Sequence, residues 1–167
     1  MSAIPFTNNF FTVPGTFTNT GNVIVQLGNS FSCLAGGCNY EQTAGTTMVE
    51  GTLGVGGGGA INITGGIVQG GTLGPATFNG NFNLGNTTGG ATARLTVGDN
   101  KTHAGHDIVM HDFTAEATAV VNFQIGGTAA GKSSLFELLA RSYSTGAPSI
   151  LRRSTSLCRQ PGRSSRS

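Results

Sequence analysis

The chain has 167 residues, a length that predicts one compact domain. Glycine supplies 28 residues, far above its usual share, while charged residues make up only 10%, far below theirs. This much glycine argues against an all-α fold, and irregular glycine spacing with only 5 prolines excludes collagen. Apolar runs are too short for a transmembrane helix, so we expect no membrane span.

Charge is distributed unevenly along the chain. Residues 1–131 carry two basic and six acidic side chains, whereas residues 132–167 carry seven basic and one acidic. This break predicts a boundary near residue 131, followed by a basic tail with a short helix at 133–142 and disorder beyond it. Basic tails can neutralise nucleic-acid phosphates, but a solvated tail is the simpler interpretation, and we expect no nucleic-acid partner.

Short alternating segments recur before that boundary. Apolar residues occupy every second position in each of them, which predicts half-buried β-strands. The alternating positions are Val23, Val25, Leu27; Ile61, Ile63; Phe82, Leu84; Leu95, Val97; and Val121, Phe123, Ile125.

These strands favour a β-solenoid over a sandwich of hairpins. They are very short, glycine lies at nearly every predicted corner, and the phrases resemble one another. Asparagines recur near the strand ends, where their side chains can form ladders between coils: Asn62, Asn79, Asn81, Asn83 and Asn86. We therefore predict an all-β fold with a solenoid over residues 15–131 in coils of about 20 residues, preceded by an N-terminal cap at 1–14.

The repeat phrases also resemble a known group of proteins. NYEQTAGTTMVEGTL (39–53), INITGGIVQGGTL (61–73) and FNGNFNLGN (78–86) are similar to repeats of secreted bacterial β-helix proteins, such as autotransporter passenger domains and filamentous-haemagglutinin-like adhesins. NFQIGGTAAG (122–131) is similar to the strand and turn that close such a block. The resemblance implies a single-stranded, right-handed parallel β-helix at the cell surface or outside the cell.

The same resemblance implies a structural or adhesive role without catalysis or a cofactor. Its partners would be host or surface glycans or proteins, met as part of a longer chain. The N-terminal sequence MSAIPFTNNFFTVPG lacks the basic and apolar regions of a signal peptide. Because the chain is also short for this group, we interpret it as a fragment, or as a product whose reading frame breaks near residue 131.

A first alternative is nucleotide binding at residues 126–133. GGTAAGKS matches the phosphate-binding loop pattern through Gly126, Gly131, Lys132 and Ser133. A predicted strand precedes the motif and a predicted helix follows it, as the motif requires. The chain after Ser133 contains one acid, Glu137, so a separate carboxylate to hold magnesium is missing.

The three histidines suggest a metal site, because imidazole and carboxylate groups bind zinc and related metals. His103, His106 and His111 lie together with Asp107 and Asp112. A polar loop inserted between coils explains the same residues, and we expect no metal there. A strand is a further alternative, with Ile108 and Met110 on one face and Val109 and His111 on the other.

Two further patterns bear on chemistry. Cys33 and Cys38 bracket a flexible Leu-Ala-Gly-Gly turn that could close a small disulfide, but small buried or turn thiols are the interpretation that we favour. A carbohydrate-active β-helix would need two carboxylates facing one cleft, and residues 1–98 offer only Glu41 and Glu50. Their position beside turns disfavours this alternative.

Overall fold

The chain forms a parallel β-solenoid with three faces. The computed structural model describes residues 4–6, 9–11, 15–33, 36–56, 58–99, 104–123, 133–139 and 142–144. Within these residues every named strand pairs in parallel with the strand three positions along the chain, and no helix is present. Each coil of the chain therefore adds one strand to each of three sheets, and four consecutive coils run from β4 to β15.

Each sheet contains six strands in the described part of the chain. Sheet A contains β1 (Ile4–Phe6), β4 (Asn22–Val25), β7 (Thr46–Val49), β10 (Gly66–Gly70), β13 (Ala93–Val97) and β16 (Ala119–Phe123). Sheet B contains β2 (Asn9–Phe11), β5 (Ser30–Cys33), β8 (Thr52–Val55), β11 (Ala76–Asn79), β14 (His106–Val109) and β17 (Leu135–Leu138). Sheet C contains β3 (Thr16–Asn19), β6 (Asn39–Gln42), β9 (Ala60–Ile63), β12 (Asn81–Leu84), β15 (Phe113–Ala115) and β18 (Ser142–Ser144).

Most of the alternating residues build the core as predicted, whereas Leu27 and Phe123 are exposed, at 54% and 46%, and Ile125 lies outside the described residues. Ile61, Ile63 and Leu84 are fully buried, as are Phe82 and Leu95. Parallel register stacks such residues in rows along the solenoid axis, so that each inward side chain packs on its equivalent in the next coil. Burial of these rows is the main favourable contribution to folding, at about 25 cal/mol per Å² of apolar surface.

Aromatic side chains of sheet C pack on one another between adjacent coils and on an aromatic side chain of sheet B. The rings of Phe82 and Phe113, equivalent residues of adjacent coils, stack with centroids 5.8 Å apart. Phe78 of sheet B meets Phe82 edge to face at 4.9 Å. Near the first coils, Phe17 stacks on Tyr40 in the same way, at 5.6 Å. The interior is thus filled across its width by rings from two sheets.

Glycine is required at the corners where coils approach closely. Gly45 has φ +77°, a left-handed conformation that favours glycine. A Cβ atom added there would overlap the carbonyl oxygen of Gly21 in the preceding coil. Thr46 N–H donates to that same oxygen at 2.8 Å, so the close approach is part of the bonding between coils.

The predicted helix at 133–142 is wrong for Leu135–Leu138, which form strand β17. Leu135, Phe136, Leu138 and Leu139 fit a helical spacing, but Phe136 and Leu138 also fit alternation. Pairing with β14 satisfies the backbone of this segment and lets both side chains pack on the core. Tertiary pairing therefore overrides the local helical preference.

Strand pairing also extends past both ends of the predicted solenoid range. β1 and β2, inside the predicted cap at 1–14, pair with β4 and β5, and β17 and β18 continue sheets B and C into the predicted tail. The segment after residue 144, predicted to be disordered, lies outside the described residues. The right-handed sense of the coils stays a prediction.

Candidate functional site

The outer face of sheet C carries a row of hydrogen-bonded polar side chains, which we call the amide ladder: Glu41, Asn62 and Asn83. Asn62 Nδ2 donates to Glu41 Oε1 at 2.6 Å, and Asn83 Nδ2 donates to Asn62 Oδ1 at 2.7 Å. The residues are 21 positions apart in sequence and in direct register on β6, β9 and β12. All three are partly exposed, so the ladder presents a continuous polar line to solvent.

The ladder arises from two simple properties of the chain. Because side chains alternate along a strand, Glu41, between the inward Tyr40 and Gln42, points to the outer face, as does Asn62, between Ile61 and Ile63. Parallel register then places equivalent side chains about 4.8 Å apart, a distance that an amide spans with one hydrogen bond. Register extends the row to Thr18 at one end and Thr114 at the other.

A second polar cluster lies inside the solenoid, at the corner between sheets C and A. Asn19 Nδ2 donates to Gln42 Oε1 at 3.2 Å and to Thr47 Oγ1 at 3.1 Å. The Thr47 hydroxyl donates to Gln42 Oε1, and Gln42 Nε2 donates to the carbonyl oxygens of Gly65 and Ile67 at 3.2 and 3.1 Å. Gln42 and Thr47 are fully buried, so this cluster is a structural element of the core.

Tyr40 connects this interior cluster to the aromatic core. Its hydroxyl lies 2.5 Å from Thr47 Oγ1. Burial raises the pKa of Tyr40 to about 12, an effect that hydrogen bonding with Thr47 and Asn19 partly offsets. The hydroxyl therefore stays protonated throughout the neutral range.

Two buried carboxyl groups approach the same segment from opposite sides at the corner between sheets A and B. Glu50, in the corner before β8, accepts hydrogen bonds from the Thr72 hydroxyl and, at 2.9 Å, from the backbone N–H of Leu73. Asp107, on β14, reaches the same segment from the coil on the other side: its Oδ1 would lie 2.7 Å from a Cβ atom added at Gly71.

Asp107 is fully buried, and neither of its carboxyl oxygens has a hydrogen-bond partner among the described residues. Burial, and then repulsion from Glu50, hold the pKa of Asp107 well above its ordinary value. This carboxyl group is therefore neutral in conditions where an exposed aspartate is charged. With Asp107 fully buried and Glu50 only 5% exposed, the pair has no open cleft for a polymeric substrate.

The histidines do not converge in the described part of the chain. His106 Nε2 lies 3.3 Å from Glu137 Oε2, while His111 Nε2 lies 3.2 Å from Asn79 Oδ1. His103 lies outside the described residues. Within those residues no group of three or more histidine, cysteine or acidic side chains is placed to hold a metal ion.

The segment around these histidines is a strand rather than the inserted loop that we favoured from the sequence. His106–Val109 form β14, with Asp107 and Val109 buried and Met110 exposed. The alternation noted for Ile108 to His111 overlaps this strand only at Ile108 and Val109, because β14 ends at Val109 and His111 is exposed. Asp107 was missed as a core residue because an acid at an inward position is rare unless it is paired.

Of the phosphate-loop residues, Gly126, Gly131 and Lys132 lie outside the described residues. Ser133 is described and exposed, and strand β17 follows it where the motif has a helix. Backbone N–H groups at a helix N-terminus are part of how such a loop binds phosphate. The described residues after Ser133 therefore lack the local geometry of the motif.

The two acids considered for carbohydrate cleavage lie on different parts of the solenoid. Glu41 belongs to the amide ladder on the outer face of sheet C, and Glu50 is buried at the corner between sheets A and B. Cys33 and Cys38 are joined in a disulfide across the corner between β5 and β6, with Cα atoms 5.9 Å apart. The expectation of separate thiols was therefore wrong: the turn between β5 and β6 brings the two cysteines within bonding distance.

The sequence predicted part of this arrangement and missed the rest. Among the asparagines expected to form ladders, Asn62 and Asn83 do so, whereas Asn79 contacts His111 and Asn86 Oδ1 accepts from the backbone of Thr88. The interior cluster was missed, although Gln42 shares the inward parity of Tyr40. That parity was the available signal.

Comparisons of the chain with protein-family models, with curated proteins and with solved structures found no match. Among the described residues there is no helix of the length and apolar character needed to cross a membrane.

Proposed function

We propose that this chain is a structural and adhesive segment of a surface-exposed or secreted β-helix protein, without catalytic activity of its own. The observation that carries the proposal is the amide ladder on sheet C. It combines a regular row of donors and acceptors with a face whose backbone is fixed by parallel pairing to neighbouring coils. A rigid polar row of this kind can bind an extended partner at low cost in conformational entropy.

The ladder suits glycans or extended peptides on another surface. Its side chains already hydrogen-bond one another, so their positions are set before a partner arrives. Glu41 retains a carboxylate oxygen, Oε2, that takes no part in the ladder bond, and Asn83 retains its amide oxygen for an incoming donor. Hydroxyl groups of sugars and backbone N–H groups of peptides are donors of the required type.

The Cys33–Cys38 disulfide supports a location outside the cell. Disulfides form and persist in oxidising compartments and are rare in the cytosol. Cys38 is fully buried and Cys33 is 9% exposed, so solvent reductants reach this bond poorly. A buried disulfide of this kind serves stability, which fits a protein that works outside the cell.

Adhesion of the purified chain to immobilised glycans, matrix proteins and cell surfaces tests the proposal. Asn81→Arg adds a bulky charge to the partly exposed outer row of sheet C beside the ladder. Gln69→Arg makes the same addition at an equally partly exposed position of sheet A and is the matched control. We expect Asn81→Arg to reduce adhesion and Gln69→Arg to preserve it. Adhesion no stronger than that of an inert protein, or equal loss in both variants, would refute the proposal.

A further inference from the structure

Asp107 is a buried acid whose carboxyl group the surrounding residues leave without a partner. It occupies an inward position of β14, in register with Ala76 and Phe136, and its exposed fraction is 0%. Neither Oδ1 nor Oδ2 has a hydrogen-bond partner among the described residues. Buried polar side chains nearly always have a partner, and an exception calls for an explanation such as a bound water or ion.

Protonation alone does not account for Asp107. A neutral carboxyl group loses its charge but keeps a hydroxyl donor and a carbonyl acceptor. Both groups would still be buried without partners, and each would cost free energy relative to its state in water. A cation bound to the carboxylate, by contrast, satisfies both oxygens at once.

The described side chains supply no positive charge at this corner. Glu50, the other acid that reaches the corner, is 5% exposed. Arg94 is the only lysine or arginine in the described part of the chain, and it is exposed on the outer face of sheet A. His106 points outwards, where its Nε2 lies 3.3 Å from Glu137 Oε2. When both buried acids are ionised, their charges therefore have no described side chain to balance them.

Small residues lie next to the Asp107 carboxyl group. Its Oδ1 lies 2.7 Å from the position that a Cβ atom of Gly71 would take. Ala76, its neighbour in register, has no side-chain atom beyond Cβ. Gly71 thus forms a cradle for the carboxyl group, and any larger residue there would fill it.

We propose that Asp107 is the principal ligand of a calcium ion at the corner between sheets A and B, with Glu50, on the other side of the same segment, as the second negative charge. Calcium binds roughly 6–8 oxygen atoms in a flexible geometry and accepts backbone carbonyl oxygens and water as well as carboxylates. A third acid or a histidine is therefore not required. Binding breaks the O–H bond of the Asp107 carboxyl group, forms the bond to calcium and releases the proton to solvent.

The site would fasten three consecutive coils at one corner. Glu50 precedes β8, Gly71 precedes β11, and Asp107 lies on β14, and these three strands are neighbours in sheet B. Hydrogen bonds from Thr72 and Leu73 to Glu50 already join the first two coils, and calcium on Asp107 would add the third. Leu73 is 71% exposed, so this segment lies at the surface. Calcium sites of extracellular proteins bind at about 10⁻⁴–10⁻³ M, and we expect an affinity in that range.

Thermal unfolding of the full chain in a chelator and in calcium chloride tests the proposal. At about 100 times the dissociation constant, calcium should raise the melting temperature of the wild-type chain by roughly 5–10 °C. Asp107→Asn keeps the shape of the side chain and should lose this rise, while melting no lower than the wild-type chain in the chelator. Asp112→Asn is the matched control, because it makes the same exchange at a partly exposed position in the next corner, and it should keep the rise. Magnesium should give a smaller rise, because it dehydrates reluctantly.

A wild-type chain whose melting temperature does not respond to calcium would overturn the proposal. An equal rise in Asp107→Asn, or loss of the rise in Asp112→Asn, would place calcium elsewhere and would also overturn it. An equal rise with magnesium would indicate general screening of charge, with the same consequence. Lys101 lies outside the described residues; if Lys101→Met lowered the melting temperature and abolished the calcium response as fully as Asp107→Asn, the balancing charge would belong to Lys101 and the proposal would fall.

Discussion

Replacing Gln42 by methionine tests whether the interior polar cluster holds the first coils together. Gln42 Nε2 donates to the carbonyl oxygens of Gly65 and Ile67 at 3.2 and 3.1 Å, from a side chain that is fully buried. Methionine has a similar volume but lacks both the donor and the amide oxygen of Gln42. Both carbonyl oxygens therefore lose this partner, while the Asn19 amide keeps its bond to Thr47 and the Thr47 hydroxyl can turn to Tyr40. An unsatisfied buried polar group costs about 1–3 kcal/mol. Because a carbonyl oxygen has a second lone pair, we expect the lower part of that range for each oxygen, and therefore about 2–3 kcal/mol for the two together.

Thermal and urea unfolding followed by circular dichroism measure this loss. For a chain of this length, about 2–3 kcal/mol corresponds to a fall in the melting temperature of roughly 4–12 °C. Ile63→Met is the matched control, because Ile63 is the next residue in the same inward row and is equally buried. We expect it to cost less than about 1.5 kcal/mol, as volume-conserving apolar exchanges do. Equal stability of the Gln42→Met and Ile63→Met variants would refute the reasoning.

Three further predictions concern a corner glycine, the disulfide and the buried acid. Gly45→Ala should lower the free energy of unfolding by more than about 4 kcal/mol, because the added methyl group overlaps Gly21. Gly28→Ala is the control: its φ is similar, at +76°, but it lies in open space, so it should cost only about 1–2 kcal/mol. Similar costs for the two variants in urea unfolding would contradict the close approach at Gly45. Cys38→Ser should cost about 2 kcal/mol, the loop entropy of a bridge between residues 5 positions apart. The wild-type chain, reduced while unfolded in urea and refolded in reductant, should show an equal fall in urea midpoint, and an unchanged midpoint would show that the bridge does not contribute. The raised pKa of Asp107 means that its contribution to stability is complete below the ordinary value of 3.8 and is lost as pH rises towards the folded-state value. Asp107→Asn should therefore flatten the fall in melting temperature above that pH and raise the melting temperature at neutral pH, and an unchanged pH profile would contradict the raised pKa.

The strands and most of the core were predictable because period-two alternation has a direct physical cause. Ile61, Ile63 and Phe82 are buried at the positions where the pattern placed them. The pattern failed where it ran past a strand end. Leu27 continues the alternation of Val23 and Val25, but β4 ends at Val25 and Leu27 is 54% exposed in the following corner.

The candidate sites were less predictable, because side-chain polarity does not state which face of a strand is inside. Gln42 and Asp107 are polar residues at inward positions, and only the register between distant coils reveals which residues they lie beside. The helix predicted over Leu135–Leu138 failed for a related reason. Its pairing with β14 joins residues 29 positions apart, as in His106 with Leu135, and no local pattern contains that information.

The polar cluster around Gln42 has a role in alignment that the apolar rows cannot supply. Ile63 and Leu84 occupy equivalent positions in adjacent coils, and either could pack where the other does. Gln42 differs, because its amide nitrogen finds two carbonyl oxygens and its amide oxygen finds Asn19 in one alignment only. A displacement by one coil would leave each of these groups buried without a partner, at a cost that the similar apolar contacts would not offset. Apolar rows therefore supply most of the free energy of folding, while the cluster around Gln42 determines which coil stacks on which.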